Sequence, residues 1–111
     1  MSDNSDVNRL RQVLALADDI DRIVVRHGSV EQATADFEGR YALLMCLLQA
    51  GETLNRVEAD RIRRALPLDL TYTMRNLIAY NAAGINARVL ERTITADLPK
   101  LKNGIVKLLG E

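Results

Sequence analysis

Residues 41–48 read YALLMCLL, eight residues without a charged side chain in a chain that is otherwise rich in charge. A helix that starts here and continues to Val57 is apolar on nearly all sides in its first half. Such helices are buried by neighbours on several sides. In a chain of 111 residues, this pattern predicts the core of a helical bundle, a dimer interface, or both.

The residues before this run predict two more helices. One apolar residue recurs every three or four positions over 7–24, which is the pattern of an amphipathic helix. Ser5 or Asp6 is suited to cap its start, and Gly28 follows its end. Ser29 and Gln32 then have the spacing of a capping box, which predicts a short helix to about residue 36. Gly39 interrupts the periodicity before the central helix. The apolar stripe of the first helix comprises Val7, Leu10, Leu14, Ala17, Ile20 and Val24.

The residues after the central helix continue the helical pattern. Residues 60–64 form a charged turn of a helix that is expected to end near Leu66 and Pro67. A fourth helix is predicted over 68–82. A fifth helix follows from about residue 86. Pro99 is expected to break or kink it, or Asp97 to cap a new start with Pro99 in the first turn. We therefore expect an all-α antiparallel bundle of four main helices plus a short one, forming a single domain over residues 1–111.

Composition narrows the classes of function. Lys plus Arg equals Asp plus Glu at 15 each, and this balance argues against non-specific binding of nucleic acid by excess positive charge. The one cysteine, Cys46, is expected to be a small buried hydrophobe. The polar, acidic N-terminus does not resemble a signal peptide, and the longest apolar run is far below the ~20 residues that cross a bilayer. We expect a cytoplasmic protein without a membrane partner.

Three blocks of sequence together resemble a known family. They read LLQAGETL at 47–54, MRNLIAYN at 74–81 and TITADLPKLK at 93–102. In this order and spacing they resemble the HepT-like branch of the HEPN superfamily, from about Leu10 to Leu109. Those proteins are small and helical, and most are ribonuclease toxins paired with a minimal nucleotidyltransferase antitoxin.

The central block departs from the family motif at two positions. The motif has arginine, a polar residue, three further residues, histidine, one residue and tyrosine. Arg75 and Asn76 match it, but Tyr80 stands at the histidine position and Ala82 at the tyrosine position. The resemblance assigns the site to Arg75, Asn76 and the degenerate position Tyr80, with Glu52 nearby in a supporting role. The alternative for Glu52 is that it is solvated or pairs with Arg56, four residues away.

The departures change the expected chemistry. A metal-free ribonuclease needs a base for the 2′-hydroxyl proton, and histidine suits that task because its pKa is near neutral. A phenol has a pKa of roughly 10, so Tyr80 is a poor base at neutral pH. Arg75 is still suited to bind phosphate, because the N–H donors of its planar guanidinium match the geometry of phosphate oxygens. The sequence thus predicts RNA cleavage that is weak or absent, and leaves open whether the chain is an enzyme.

Three functions follow as hypotheses. The first is the toxin component of a toxin–antitoxin pair, in active or degenerate form. The alternative is a non-catalytic dimeric helical module that binds a minimal nucleotidyltransferase or nucleic acid. The third is a generic helical interaction module unrelated to the family. The first two imply a homodimer, with the nucleotidyltransferase antitoxin as a candidate partner and RNA as a candidate ligand. The chain has no Cys/His cluster and no phosphate-binding glycine loop, so we expect no metal and no cofactor.

Overall fold

The computed structural model describes residues 2–66, 76 and 87–110, and every regular element in them is helical. This confirms the predicted all-α class. Of the predicted fourth helix over 68–82, Asn76 is helical, and the other residues lie outside the described ones. The elements are α1 (Ser2–His27), α2 (Val30–Ala35), α3 (Phe37–Asn55), α4 (Asp60–Ala65), α5 (Ala87–Arg92), a π turn (Thr93–Asp97) and α6 (Leu98–Leu109).

The long helices α1 and α3 form the most extensive contact between described elements. They run antiparallel, because Asp6 near the start of α1 contacts the residues after α3, and His27 at the end of α1 contacts Asp36 just before α3. The predicted cap of α1 at Ser5 or Asp6 is wrong. The helix begins at Ser2, and the Asp6 side chain is fully buried within it.

The helix α3 starts at Phe37, four residues before the predicted start at Tyr41. Asp36 caps it, since its carboxylate accepts the Gly39 backbone N–H at 2.9 Å. Gly39 therefore does not interrupt the helix. A Cβ at this position would lie 2.4 Å from the Ala33 carbonyl oxygen and 3.0 Å from Nε2 of His27. Glycine is thus required for the close approach of α1 and α2 to the first turn of α3.

The short helices α2 and α4 follow the sequence pattern. The Ser29 side chain accepts the backbone N–H of Gln32 at 3.0 Å, as predicted for the start of α2. The predicted charged turn over 60–64 lies in α4 (Asp60–Ala65), which buries Ile62 and exposes Arg61 and Arg64. The helix α2 thus directly precedes α3 in the chain, and α4 follows it.

The helix that begins at Ala87 continues through Pro99 instead of breaking there. Its π turn is closed by the Leu98 N–H, which donates to the Thr93 carbonyl oxygen. Pro99 cannot donate a hydrogen bond to the carbonyl oxygen of Thr95, and its ring crowds that group. A locally wider turn relieves this conflict. The alternative that Asp97 caps a new helix is wrong, because Asp97 has helical dihedral angles and its side chain makes no capping hydrogen bond.

One hydrophobic cluster joins all described helices. The contribution of α1 includes Val13, which the predicted stripe missed, whereas Val7, Leu14 and Val24 of that stripe are only half-buried. No helix within residues 2–66 and 87–110 combines the length and apolarity needed to cross a bilayer. The cluster comprises Leu10, Val13, Ala17, Ile20, Ala33, Leu43, Leu44, Leu47, Ala50, Leu54, Val57, Ile62, Leu66, Leu90, Ile94, Leu98, Leu101 and Ile105.

Candidate functional site

Glu52 is the predicted site residue whose surroundings the structure describes in most detail. It lies half-buried on the C-terminal half of α3, one turn after Leu48 and one turn before Arg56. This side of α3 faces a groove of about 520 Å³ against α1. Apolar and polar side chains both line the groove. Its lining comprises Gln12, Ala15, Leu16, Leu48, Gln49, Glu52, Thr53 and Arg56.

Beside Glu52, the Thr53 hydroxyl makes two short-range hydrogen bonds within α3 and its cap. The buried Thr53 hydroxyl donates to the Gln49 carbonyl oxygen at 2.8 Å. It also accepts from Nη2 of Arg56 at 3.3 Å. Arg56 is the C-terminal cap of α3 and is exposed, so its guanidinium holds the end of the helix while remaining at the mouth of the groove.

The other predicted site residues are described less fully. Asn76 is helical, and its side chain is exposed. Arg75, Tyr80 and the altered motif position Ala82 lie outside the described residues. The predicted grouping of Arg75, Asn76 and Tyr80 with Glu52 therefore stays a prediction.

The three arginines of α4 have different surroundings. Nη1 of Arg63 donates to the Val57 carbonyl oxygen at 2.8 Å and to that of Asn55 at 3.4 Å. Arg63 thus closes the turn between α3 and α4. Arg61 and Arg64 are exposed. The exposed positive charge of α4 therefore lies at Arg61 and Arg64, whereas Nη1 of Arg63 is engaged by backbone carbonyl oxygens.

The only histidine of the chain, His27, lies where α1 and α3 meet. Its Nδ1 is 2.8 Å from the Ile23 carbonyl oxygen, and its Nε2 is 3.2 Å from Oδ2 of Asp36. Both ring nitrogens thus face acceptors, which matches the protonated ring. The hydrogen bond to Ile23, followed by the contact with Asp36, raises the pKa of His27 despite partial burial. This residue joins two helices, as expected for a structural histidine, and lies apart from the groove around Glu52.

The Cys46 side chain is half-buried on α3, where the sequence predicted a buried hydrophobe. It lines a second groove between α1 and α3, beside Ile23, His27 and Ala42. Burial, followed by the charge of Asp19, raises the pKa of the Cys46 thiol. The thiol form is therefore favoured, and the side chain packs as a small hydrophobe rather than reacting as a thiolate.

Sequence reasoning missed the buried carboxylate of Asp6. It accepts backbone N–H groups of Glu58 at 3.0 Å and Ala59 at 2.8 Å, and Nη1 of Arg9 donates to it at 2.9 Å. Burial alone would raise the pKa of Asp6, but these three donors outweigh it and lower the pKa. No local signal separates this role from a helix cap, because the two backbone donors lie more than fifty residues away.

In the part of the chain that the structure describes, no three His, Cys, Asp or Glu side chains form a cluster suited to a metal ion.

Comparison with known proteins assigns the family. Neither a search of the curated proteins nor a search of the solved structures finds a match. The family model described as ribonuclease HepT-like matches residues 13–108, which is most of the chain. The all-helical fold agrees with this match. The chain therefore belongs to the ribonuclease HepT-like family of the HEPN superfamily.

Proposed function

We propose that this protein is the toxin-type component of a toxin–antitoxin pair, and that it cleaves RNA weakly or not at all. Its membership of the ribonuclease HepT-like family supports the first part. The single observation that carries the second part is Tyr80 at the motif position of histidine. A phenol with a pKa of roughly 10 is almost entirely protonated at neutral pH and cannot serve as an efficient base.

The retained residues have roles that fit RNA binding. Arg75 supplies a planar cation for a phosphate group, and Asn76 supplies an amide next to it. Glu52 lies in the groove between α1 and α3, within the block at 47–54 that also matches the family. The proposed site is thus able to hold an RNA phosphate although it lacks the base that removes the 2′-hydroxyl proton.

The proposed assembly is a homodimer that binds a minimal nucleotidyltransferase. The homodimer is supported by α3, which leaves Phe37, Tyr41 and Met45 more than half exposed. Large exposed apolar patches usually mark interfaces. The nucleotidyltransferase partner rests on the family alone. Ala82 stands where the family has the tyrosine that such enzymes modify with AMP, so this chain lacks that acceptor.

Restoring the histidine tests the proposal. Tyr80→His should raise RNA cleavage by roughly 10²–10⁴-fold, the usual contribution of a well-placed general base. The double variant Tyr80→His with Ala82→Tyr should do at least as well. Arg75→Ala in the Tyr80→His background should abolish the gain, because the phosphate loses its charged partner. The measurement is the rate of cleavage of a mixed-sequence RNA in the presence of EDTA.

A matched control makes the same chemical change elsewhere. Tyr72→His introduces histidine eight residues before the motif position and should leave the cleavage rate unchanged. Robust cleavage by the unaltered protein that disappears in Tyr80→Phe would contradict the proposal. So would a folded, dimeric Tyr80→His, Ala82→Tyr variant without activity on any RNA, since Arg75 would then be structural.

A further inference from the structure

Three large apolar side chains form an exposed line on α3. Phe37, Tyr41 and Met45 are 60%, 56% and 53% exposed, and they follow one another at four-residue spacing on one side of the helix. The rings of Phe37 and Tyr41 meet edge to face, with centroids 6.4 Å apart. The half-buried Leu48 continues the line past the centre of the helix. We call Phe37, Tyr41 and Met45 the α3 stripe.

We propose that the α3 stripe is the contact between two copies of this chain, which pack their α3 helices antiparallel about a two-fold axis near Tyr41. This inference rests on the homodimer of the proposed function and assigns the surface that forms it. A two-fold interface uses the same patch on both copies, so its residues must be complementary to one another in reverse order.

The order of residues in the α3 stripe meets this requirement. With the axis near Tyr41, the two Tyr41 rings face each other. Phe37 of each copy then lies opposite Met45 of the other, because both are four residues from the centre. A thioether beside an aromatic ring is a favourable contact. None of the three side chains carries a charge, and the chain as a whole has a formal net charge of zero, so the two copies do not repel each other at long range.

The exposed area is of the size that a dimer contact needs at its centre. At roughly 200 Å² for each large side chain, the exposed fractions amount to about 350 Å² per copy and about 700 Å² for two. A stable interface buries about 1,200–2,000 Å² in total. The stripe thus supplies about half of the area, and the surrounding side chains, Leu48 among them, supply the rest as the rim.

A single strand of RNA fits this surface less well than a second copy. Aromatic platforms for RNA are accompanied by cations along the backbone path. Positions 37, 41 and 45 supply none. Arg40 lies over the Tyr41 ring, 5.8 Å from its centroid, but its Nη1 donates to the Thr34 carbonyl oxygen at 3.0 Å. One nitrogen of its guanidinium is therefore already engaged within the chain.

Charge placed at the centre of the stripe tests the interface. In sedimentation at micromolar concentration, we expect the unaltered protein to be a dimer and Tyr41→Glu to be a monomer, with at least ~100-fold weaker association. The two introduced carboxylates would face each other across the axis. Val25→Glu is the matched control, because Val25 is apolar, lies on α1 and is 78% exposed. It should leave the dimer intact, and circular dichroism should show that both variants keep their helices.

A cross-linking experiment keeps the test decisive if Tyr41→Glu unfolds. In a Cys46→Ser background, Tyr41→Cys should form an intermolecular disulfide on mild oxidation, since a residue near the axis lies close to its own copy. Asn55→Cys is exposed at the other end of α3, about 21 Å along the helix, and should not cross-link. A Tyr41→Glu variant that is still a dimer, or a Tyr41→Cys variant that forms no disulfide, would contradict the α3 stripe as the interface. Neither result would contradict the homodimer itself. A monomeric unaltered protein would overturn both, and RNA cleavage is measured independently of either.

Discussion

The two ends of the α1–α3 pair are closed by the same kind of contact in different surroundings. At one end, Asp6 of α1 accepts the backbone N–H groups of Glu58 and Ala59, just after α3. At the other end, Asp36 accepts the Gly39 backbone N–H and contacts His27 of α1. The Asp6 side chain is fully buried, whereas that of Asp36 is 42% exposed. Water therefore reaches the carboxylate of Asp36 but not that of Asp6.

We expect this difference in burial to decide how much each carboxylate contributes to the free energy of unfolding. Removal of a buried acceptor leaves its donors without a partner, and each such group costs free energy. Removal of an exposed acceptor returns its donors to water. The end of the bundle held by Asp6 should accordingly be the more sensitive one, and three measurements compare the two ends.

The largest effect is expected for Asp6→Ala. It leaves two backbone N–H groups without their acceptor and removes the nearer of the two carboxylates that pair with Arg9, and should lower the free energy of unfolding by about 3 kcal/mol. Urea denaturation followed by circular dichroism measures this. Asp18→Ala, an exposed acid on the same helix, is the control and should change stability little. Equal losses for the two variants would show that Asp6 does not close the bundle.

A smaller loss is expected for Asp36→Ala. This change removes the cap of α3 and the partner of His27, but the Asp36 side chain is 42% exposed, so water reaches the space that its carboxylate leaves. Its urea midpoint should lie between those of the unaltered protein and Asp6→Ala. Glu38→Ala removes an exposed acid from the same first turn and serves as the control. A loss larger than that of Asp6→Ala would reverse the comparison.

The smallest effect is the dependence of stability on pH. The pKa of His27 is raised in the folded protein above its ordinary 6.5, by the hydrogen bond to Ile23 and then by Asp36. Its contribution is therefore fully present below pH 6.5 and is lost as the pH rises through the folded pKa. The urea midpoint should fall over that window in the unaltered protein and stay flatter in His27→Gln. NMR titration of the one histidine gives the folded pKa directly, and a value below 6.5 would contradict the assignment.

The carboxylates impose the opposite dependence in acid. The pKa of Asp36 is lowered from 3.8, first by the Gly39 N–H, and that of Asp6 is lowered by its three donors against the effect of burial. Their contributions are present above pH 3.8 and are lost as the pH falls through the lowered values. The His27 end thus responds on both sides of neutrality, and the Asp6 end responds in acid alone.

Local patterns predicted the elements that depend on neighbours in the sequence. The apolar recurrence predicted α1, and the spacing of Ser29 and Gln32 predicted the start of α2. The start of α3 was misplaced because Gly39 was interpreted as an interruption. Asp36, three residues before it, carried the signal of a cap that would have corrected the boundary.

Contacts between distant residues could not be predicted in this way. The two backbone donors to Asp6 are 52 and 53 residues away, and no periodicity encodes that distance. At the candidate site, the position of Glu52 beside a groove follows from its place on α3 once the packing with α1 is known. The geometry of Arg75 and Tyr80 lies outside the described residues, so their roles stay predictions from the resemblance.

The π turn over Thr93–Asp97 has a consequence for the phase of the C-terminal helix. The buried residues Leu90, Ile94 and Leu98 recur every four positions. An α-helix advances by about 100° per residue, so each step of four carries the stripe about 40° further around the axis. A wider turn between α5 and α6 counteracts this rotation at the place where Pro99 removes an α-helical hydrogen bond. One irregular turn thus keeps a continuous helix in phase with the core over its whole length.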